Sequence, residues 1–225
     1  MKKVILYGAG AYADVFFHEA ERYGIVDIVA FTVDEEYIST GKKYGLPVVP
    51  FERVEALYPP SHYAMLVLCG YSVMRKRKIM YDRAKKKGYE LLNYLSPGAV
   101  LEDGIQMGEN NIIMSNSVVG FGGIMGSNNI IRQNVYLGHE FNMGNHIIIS
   151  PGCSLGGCSH IHDFVFFGIG VTARSYITYG AESLIGMGSN VTQNIETNSI
   201  YYGNPAKKRG TNQESGVVVG EVTHE

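Results

Sequence analysis

Every sixth residue from Leu101 to Val191 is apolar, sixteen positions in a row without one insertion. The column runs Leu101, Met107, Ile113, Val119, Met125, Ile131, Leu137, Met143, Ile149, Leu155, Ile161, Phe167, Ala173, Tyr179, Ile185, Val191. With 45% of the chain hydrophobic, chance would give such a run roughly once in 10⁵ sequences. A period of six fits neither an α-helix nor a coiled-coil heptad. It suits a short strand followed by a tight corner, three of which close one triangular coil. Sixteen repeats make about five coils, which at ~4.8 Å each stack into a prism on the order of 25 Å tall. The position after the inward residue is Gly in nine of the sixteen repeats, Gly120, Gly138 and Gly156 among them. There a side chain would hinder the corner, or the backbone needs positive φ. Asn110, Asn128, Asn134 and Asn194 fall three residues after the inward position, where Asn tolerates left-handed geometry and can ladder between coils.

Residues 1–95 follow a different rule. Val4 to Tyr7, Asp27 to Val33 and Ala64 to Cys69 read as buried strands, and 12–23 and Met74 to Lys87 as amphipathic helices between them, the alternation of an open α/β sheet. The sequence therefore predicts an α/β domain over 1–95, a β-helix over 96–209 and a loose polar tail over 210–225. Charge divides the same way: residues 1–95 carry 14 Lys+Arg against 11 Asp+Glu, and 96–225 carry 5 against 10. Neither part is basic enough for a nucleic-acid partner. The run Arg75-Lys76-Arg77-Lys78 reads as a solvated helix face. No apolar run approaches the ~20 residues that cross a bilayer, and Gly8 and Asp14 interrupt the N-terminus too early for a signal-peptide core. Three cysteines make no disulfide framework; Cys69, Cys153 and Cys158 read as small apolar packing residues, the last two without the adjacent base a nucleophile needs, and the expected setting is the cytoplasm. Cys153, Cys158, His160 and His162, with Asp163, have the residue types of a zinc site, but their spacing disperses them over the repeat and no metal is expected. His146 reads as a solvated corner, and Ile124, Ile130, Tyr136 and Phe166 read as one exposed apolar prism face that calls for a partner.

Gly8-Ala9-Gly10-Ala11-Tyr12-Ala13 follows a strand and opens a helix, with Asp34 at the end of the next strand. That is the dinucleotide fingerprint, in which glycines let a pyrophosphate approach a helix N-terminus. Residues 1–95 supply little more than one mononucleotide half of a full dinucleotide domain. A nucleoside-diphosphate sugar carries the same pyrophosphate and ribose, and is the favoured ligand. Within the repeat, His139 follows the inward Leu137 and the corner glycine Gly138 and is itself followed at once by a carboxylate, Glu140. A His-Glu pair at a surface corner is either a solvated pair or a general base with its orienting acid.

The unbroken hexapeptide run over 99–209, with Gly203-Asn204-Pro205-Ala206-Lys207 at its close, resembles the left-handed β-helix acyltransferases. Tyr7-Gly8-Ala9-Gly10 and Asn93-Tyr94-Leu95-Ser96-Pro97 make the chain similar to one subgroup, the sialic-acid O-acetyltransferases and UDP-4-amino-sugar N-acetyltransferases. The resemblance implies a Rossmann-like α/β domain holding a nucleotide sugar, a left-handed parallel β-helix, and a homotrimer with active sites between neighbouring prisms. It makes His139 the catalytic base and Glu140 its orienting acid. By position, it assigns the nucleotide sugar to Gly10, Ala11, Tyr12, Asp34, Glu35 and Gly70. Acetyl-CoA falls on Ile148, Ile169 and Met187. Within 96–206 only Arg132 and Arg174 are basic, so the cluster Lys207-Lys208-Arg209 either meets the CoA phosphates or is a solvated charge run. The subgroup often has His where Tyr12 stands, a second Asp at Glu35, and Asn-Asn at Tyr71-Ser72. The reaction implied is direct N-acetylation of a UDP- or dTDP-linked amino-dideoxy sugar, without a metal. O-acetylation of a sialic acid or related hydroxyl is one alternative, and a non-catalytic nucleotide-sugar-binding trimer another.

Overall fold

A computed structural model describes residues 2–70 and 72–220; Met1, Tyr71 and residues 221–225 lie outside the described residues. The chain divides into two compact units, Met1–Gly70 with Lys76–Asn93, and Tyr71–Arg75 with Tyr94–Glu225.

The first unit is built on β1 (Lys3–Tyr7), β2 (Asp27–Val33), β3 (Lys42–Lys43), β4 (Leu46–Pro50), β5 (Tyr63–Val67) and β6 (Glu90–Leu91), in sheet order β3-β4-β2-β1-β5-β6. All pairs are parallel except β3 with β4. Val4, Ile5 and Leu6 are wholly buried, as a central parallel strand covered on both faces requires. Helix α1 (Ala11–Tyr23) buries Ala13, Phe16, Phe17 and Ala20 and ends at Gly24 in the left-handed conformation, the residue that pays no Cβ penalty there. A short α2 (Val54–Leu57) precedes β5, and α3 (Met74–Lys86) follows it. The expectation of a solvated basic face on α3 is corrected at Arg77. Helical spacing places it with Met74 and Ala84 on the buried side, where it is fully buried and donates to the Cys69 carbonyl at 2.9 Å.

In the second unit two-residue strands recur every six residues and pair in parallel with the strand eighteen residues on. Ile112–Ile113 pairs Ile130–Ile131, which pairs Ile148–Ile149, which pairs Phe166–Phe167. The three faces are sheets of eight, six and five strands among the described residues. The inward column forms one continuous core, completed by Val135, Phe141, Ile147, Cys153, Val165, Val171 and Ile177. Each buried aliphatic side chain contributes about 1.5–3 kcal/mol. The corners turn three residues after each inward position, at Asn110, Asn116, Asn128 and Asn134 with φ of 56–60°. The recurrent glycines next to the inward residue do another job, because none of Gly120, Gly138 and Gly156 has positive φ, and a Cβ on each would meet backbone of the next coil.

Three expectations change once contacts are counted by coil. His146 is buried, not solvated: it stands in one corner column with Asn110, Asn128 and Phe164, joined by Asn110 Nδ2 to Asn128 Oδ1 at 2.8 Å and Asn128 Nδ2 to His146 Nδ1 at 2.9 Å. Ile124, Ile130, Tyr136 and Phe166 were expected to form one apolar face. They lie on three, since a step of six moves to the next face and only a step of eighteen returns. Ile130 and Phe166 are buried, whereas Ile124 and Tyr136 are exposed. The described part of the tail is held in place. Lys207–Thr211 pairs antiparallel with Ser199–Tyr202, Val218 bridges Val73, and Val217 is wholly buried. Arg75 grips both carboxylate oxygens of Glu182 at 2.6 and 2.7 Å and donates to the Glu214 carbonyl at 2.7 Å. A buried valine and a carbonyl that accepts from Arg75, itself fixed by its bidentate pair with Glu182, are what hold this polar stretch against its own chain entropy. No helix among the described residues is long and apolar enough to cross a membrane.

Candidate active site

In the first unit a cavity of about 460 Å³ opens at the C-terminal ends of β1 and β2, where open α/β sheets place their ligands. Tyr7, Ala9, Gly10, Val33, Asp34 and Lys43 contribute to its wall. Gly8 must be glycine: its φ is +127°, and a Cβ would sit 2.5 Å from the Leu68 carbonyl oxygen. Gly10 begins α1 without a capping side chain, which leaves this helix end suited to an anion. Asp34 is fixed by both oxygens, one accepting from the Tyr7 hydroxyl at 3.1 Å and the other from Arg83 at 2.8 Å. Burial, and then the Asp34 charge, push the Tyr7 phenol far up, so it stays a donor. Tyr7 stacks on Phe51 at 4.0 Å, and the Arg83 guanidinium lies 4.6 Å from the Phe51 ring centre.

Of the six expected nucleotide-sugar residues, Gly10 and Asp34 meet in this cavity. Tyr12 is buried within α1, Ala11 is exposed, and Glu35 pairs with Arg53 at 3.1 Å. Gly70 is exposed, with open space where its side chain would be. Lys43 escaped the sequence reading, together with Tyr37, Ser39 and Thr40 of the wall. Its ammonium pairs with Asp14 at 2.5 Å and donates to the Ala9 carbonyl at 2.7 Å. The signal available was the polar run 37–43 immediately beyond the end of β2.

In the second unit His139 sits at the corner that follows the strand Tyr136–Leu137. Its Nδ1 lies 3.1 Å from Glu140 Oε2. With that nitrogen donating to the carboxylate, Nε2 carries the lone pair, on a side chain that is partly exposed. Residues one coil away hold the ring. Phe121 stacks on it at 5.2 Å and 9°, and Gly157 lies beneath, where a Cβ would come within 3.0 Å of Nε2. Glu140 adopts φ of 51° at its corner, a strained choice for a residue that an Asn would replace more easily. Cys158, one coil beyond Glu140, places its Sγ 4.0 Å from His139 Nδ1 and 3.9 Å from Glu140 Oε2. Sequence reading assigned this cysteine a packing role with no base beside it, and the structure corrects that. Cys153 is the packing cysteine: it is buried, its thiol faces the Gly168 carbonyl at 3.1 Å, and burial pushes its pKa to about 11.

Ile169 and Met187, expected at acetyl-CoA, stand one coil apart on a different edge, both strongly exposed. Lys207 is exposed at the start of the strand Lys207–Thr211, while Ile148 is buried on a sheet face and is not brought together with them.

No protein-family model and no curated protein matches the chain. Solved structures do. A mutant of perosamine N-acetyltransferase from Caulobacter crescentus, in complex with CoA and GDP-perosamine, is 23% identical with a TM-score of 0.85, covering 93% of this chain and 98% of that one. The acetyltransferase domain of PglB from Neisseria gonorrhoeae, in complex with acetyl coenzyme A, is 23% identical with a TM-score of 0.83 over 92% and 99%. WeeI from Acinetobacter baumannii is 20% identical with a TM-score of 0.79 over 93% and 100%. By fold the chain is thus an α/β domain joined to a left-handed parallel β-helix of hexapeptide repeats, the architecture those three proteins share.

Proposed function

We propose that the chain transfers an acetyl group from acetyl-CoA to the amino group of a nucleotide-linked amino sugar, by direct attack and with His139 as the base. The observation that carries this reading is the partly exposed His139-Glu140 pair, with Phe121 stacked on the ring, Gly157 leaving it room and Nδ1 on the carboxylate, so that Nε2 is the nitrogen left to accept a proton. His139 takes the proton of the attacking amine as the new C–N bond forms, and returns it to the departing thiolate as the thioester C–S bond breaks. Glu140 holds the tautomer and stabilises the imidazolium between those events. The cavity beside Gly10 and Asp34 is within the range of small-ligand sites and would hold the nucleotide. Its partners in the comparison widen the choice of base: the perosamine enzyme was solved with a GDP-sugar, so GDP joins UDP and dTDP. Three free cysteines suit a reducing cytoplasm.

The proposed assembly is a homotrimer. His139 and the Ile169–Met187 edge are different corners of one prism, separated by a side of six residues, at most about 20 Å. A neighbouring prism can present its own Ile169–Met187 edge to His139. Light scattering at working concentration should give three times the chain mass; a monomer would remove this assembly.

The reaction is tested by thiol release from acetyl-CoA with UDP-, dTDP- and GDP-linked 4-amino sugars and free sialic acid offered in parallel. Release with one nucleotide amino sugar supports the reading. Release only with the sialic acid moves the chemistry to oxygen, and no release with any acceptor leaves a nucleotide-sugar-binding protein.

A further inference from the structure

His139 Nδ1, Glu140 Oε2 and Cys158 Sγ lie within 4.8 Å of one another, at 3.1, 4.0 and 3.9 Å pairwise. A tetrahedral zinc ion bound at about 2.0–2.1 Å to nitrogen, 2.0–2.2 Å to oxygen and 2.3 Å to sulfur has ligand edges of about 3.4–3.6 Å. Each side of the observed triangle is within about 0.5 Å of those edges, a shift that small side-chain rotations supply. The backbone beneath is already set. Cys158 N–H donates to the His139 carbonyl at 2.8 Å, and Glu140 and Cys158 hold matching left-handed corners with φ of 51° and 55°. None of the three side chains is buried, so an ion reaches them from solvent.

We propose that these three residues form a binding site for a thiophilic divalent cation, Zn²⁺, and that its occupation switches the base off. One thiolate and one carboxylate balance the ion's two charges, and the nitrogen–sulfur pair selects zinc over magnesium or calcium. On binding, the Cys158 S–H bond gives its proton to water and a Zn–S bond forms. An imidazole that binds metal through Nδ1 carries its remaining proton on Nε2. The nitrogen that would accept the substrate's proton then has no lone pair to offer, and Glu140 is drawn from its orienting role to the metal. The fourth coordination position stays open to water.

The inhibitory consequence rests on His139 acting as the base; the ligand set does not, and the experiment separates them. Co²⁺ titrated into the purified full-length protein should produce sulfur-to-cobalt charge-transfer absorbance and tetrahedral visible bands, saturating at one equivalent per chain and displaced by Zn²⁺. Cys158→Ala should abolish the charge-transfer band. Glu140→Gln, which nearly preserves shape, should weaken cobalt binding by about tenfold or more. In the acetyl-transfer assay Zn²⁺ should lower the wild-type rate by about 10²-fold or more, reversed by a chelator. Cys158→Ala, compared with its own metal-free rate, should lose that sensitivity. Cobalt absorbance that does not depend on Cys158, or none at all, overturns the site. Cysteine-dependent absorbance without turnover on any acceptor upholds the site and removes the catalytic reading.

Discussion

His139→Ala lowers acetyl transfer by about 10²- to 10⁴-fold, the range over which a positioned general base acts, while the fold and the melting temperature stay close to wild type. The two halves of that expectation come from the same geometry. The imidazole is partly exposed, so its removal takes little from the core, and substitutions at such positions stay within about 0.5 kcal/mol. Everything around it serves orientation instead: the Glu140 carboxylate 3.1 Å from Nδ1, the Phe121 ring stacked at 5.2 Å, and the absence of a side chain at Gly157. Cys158 does not stand in for Nε2, because its thiol lies at Nδ1. The assay is single-turnover acetyl transfer with the acceptor that supports release. A variant that keeps more than half of the wild-type rate would take the base away from His139 and leave the Cys158 thiol to be tested next.

The period of six was readable because each inward position needs the same chemistry, an apolar side chain, and the strands and helices of the first unit were readable for the same reason. Contacts in the prism obey a second period. Residue i touches i+18, so the neighbours of His139 are Phe121 and Gly157, and the neighbours of Glu140 are Gly122 and Cys158. Counting by eighteen would have found Cys158, placed His146 in its buried column and separated Ile124 from Ile130. The tail misled for a different reason. Its composition is polar, and the one buried valine and the Arg75–Glu182 pair that fix it depend on residues far away in sequence. In the first unit the fingerprint glycines and Asp34 mark the strand ends, which local pattern encodes. Lys43 belongs to a strand pair formed after β2, and no periodicity marks where such a connection folds back. Arg77 shows the converse, a charge run read by composition although helix geometry turns one of its four members inward.

Gly138→Ala costs the protein about 3 kcal/mol, the upper part of the range for overpacking a close-packed interior, and lowers its melting temperature by about 6–12 °C for a chain of this size. The cause is space, since Gly138 does not have positive φ. A Cβ there would lie 2.4 Å from the Gly157 nitrogen and 2.8 Å from Gly157 Cα and the Gly156 carbonyl carbon. All three are backbone atoms of the next coil, which cannot rotate aside as a side chain would. The coils sit at strand spacing, held by Gly138 N–H to the Leu155 carbonyl at 2.9 Å, so relief requires prising one ladder open. Because His139 follows directly, activity should fall with stability, and more steeply, as the imbalance moves the imidazole off Glu140. Gly10→Ala is the matched control: a Cβ at Gly10 meets nothing within 4 Å and φ is −82°, so its melting temperature should stay at the wild-type value. Differential scanning calorimetry on both variants decides the matter. Equal melting temperatures would mean that the glycine column does not mark close approach between coils, and the reason for nine glycines beside the inward residue would have to be sought in the corners after all.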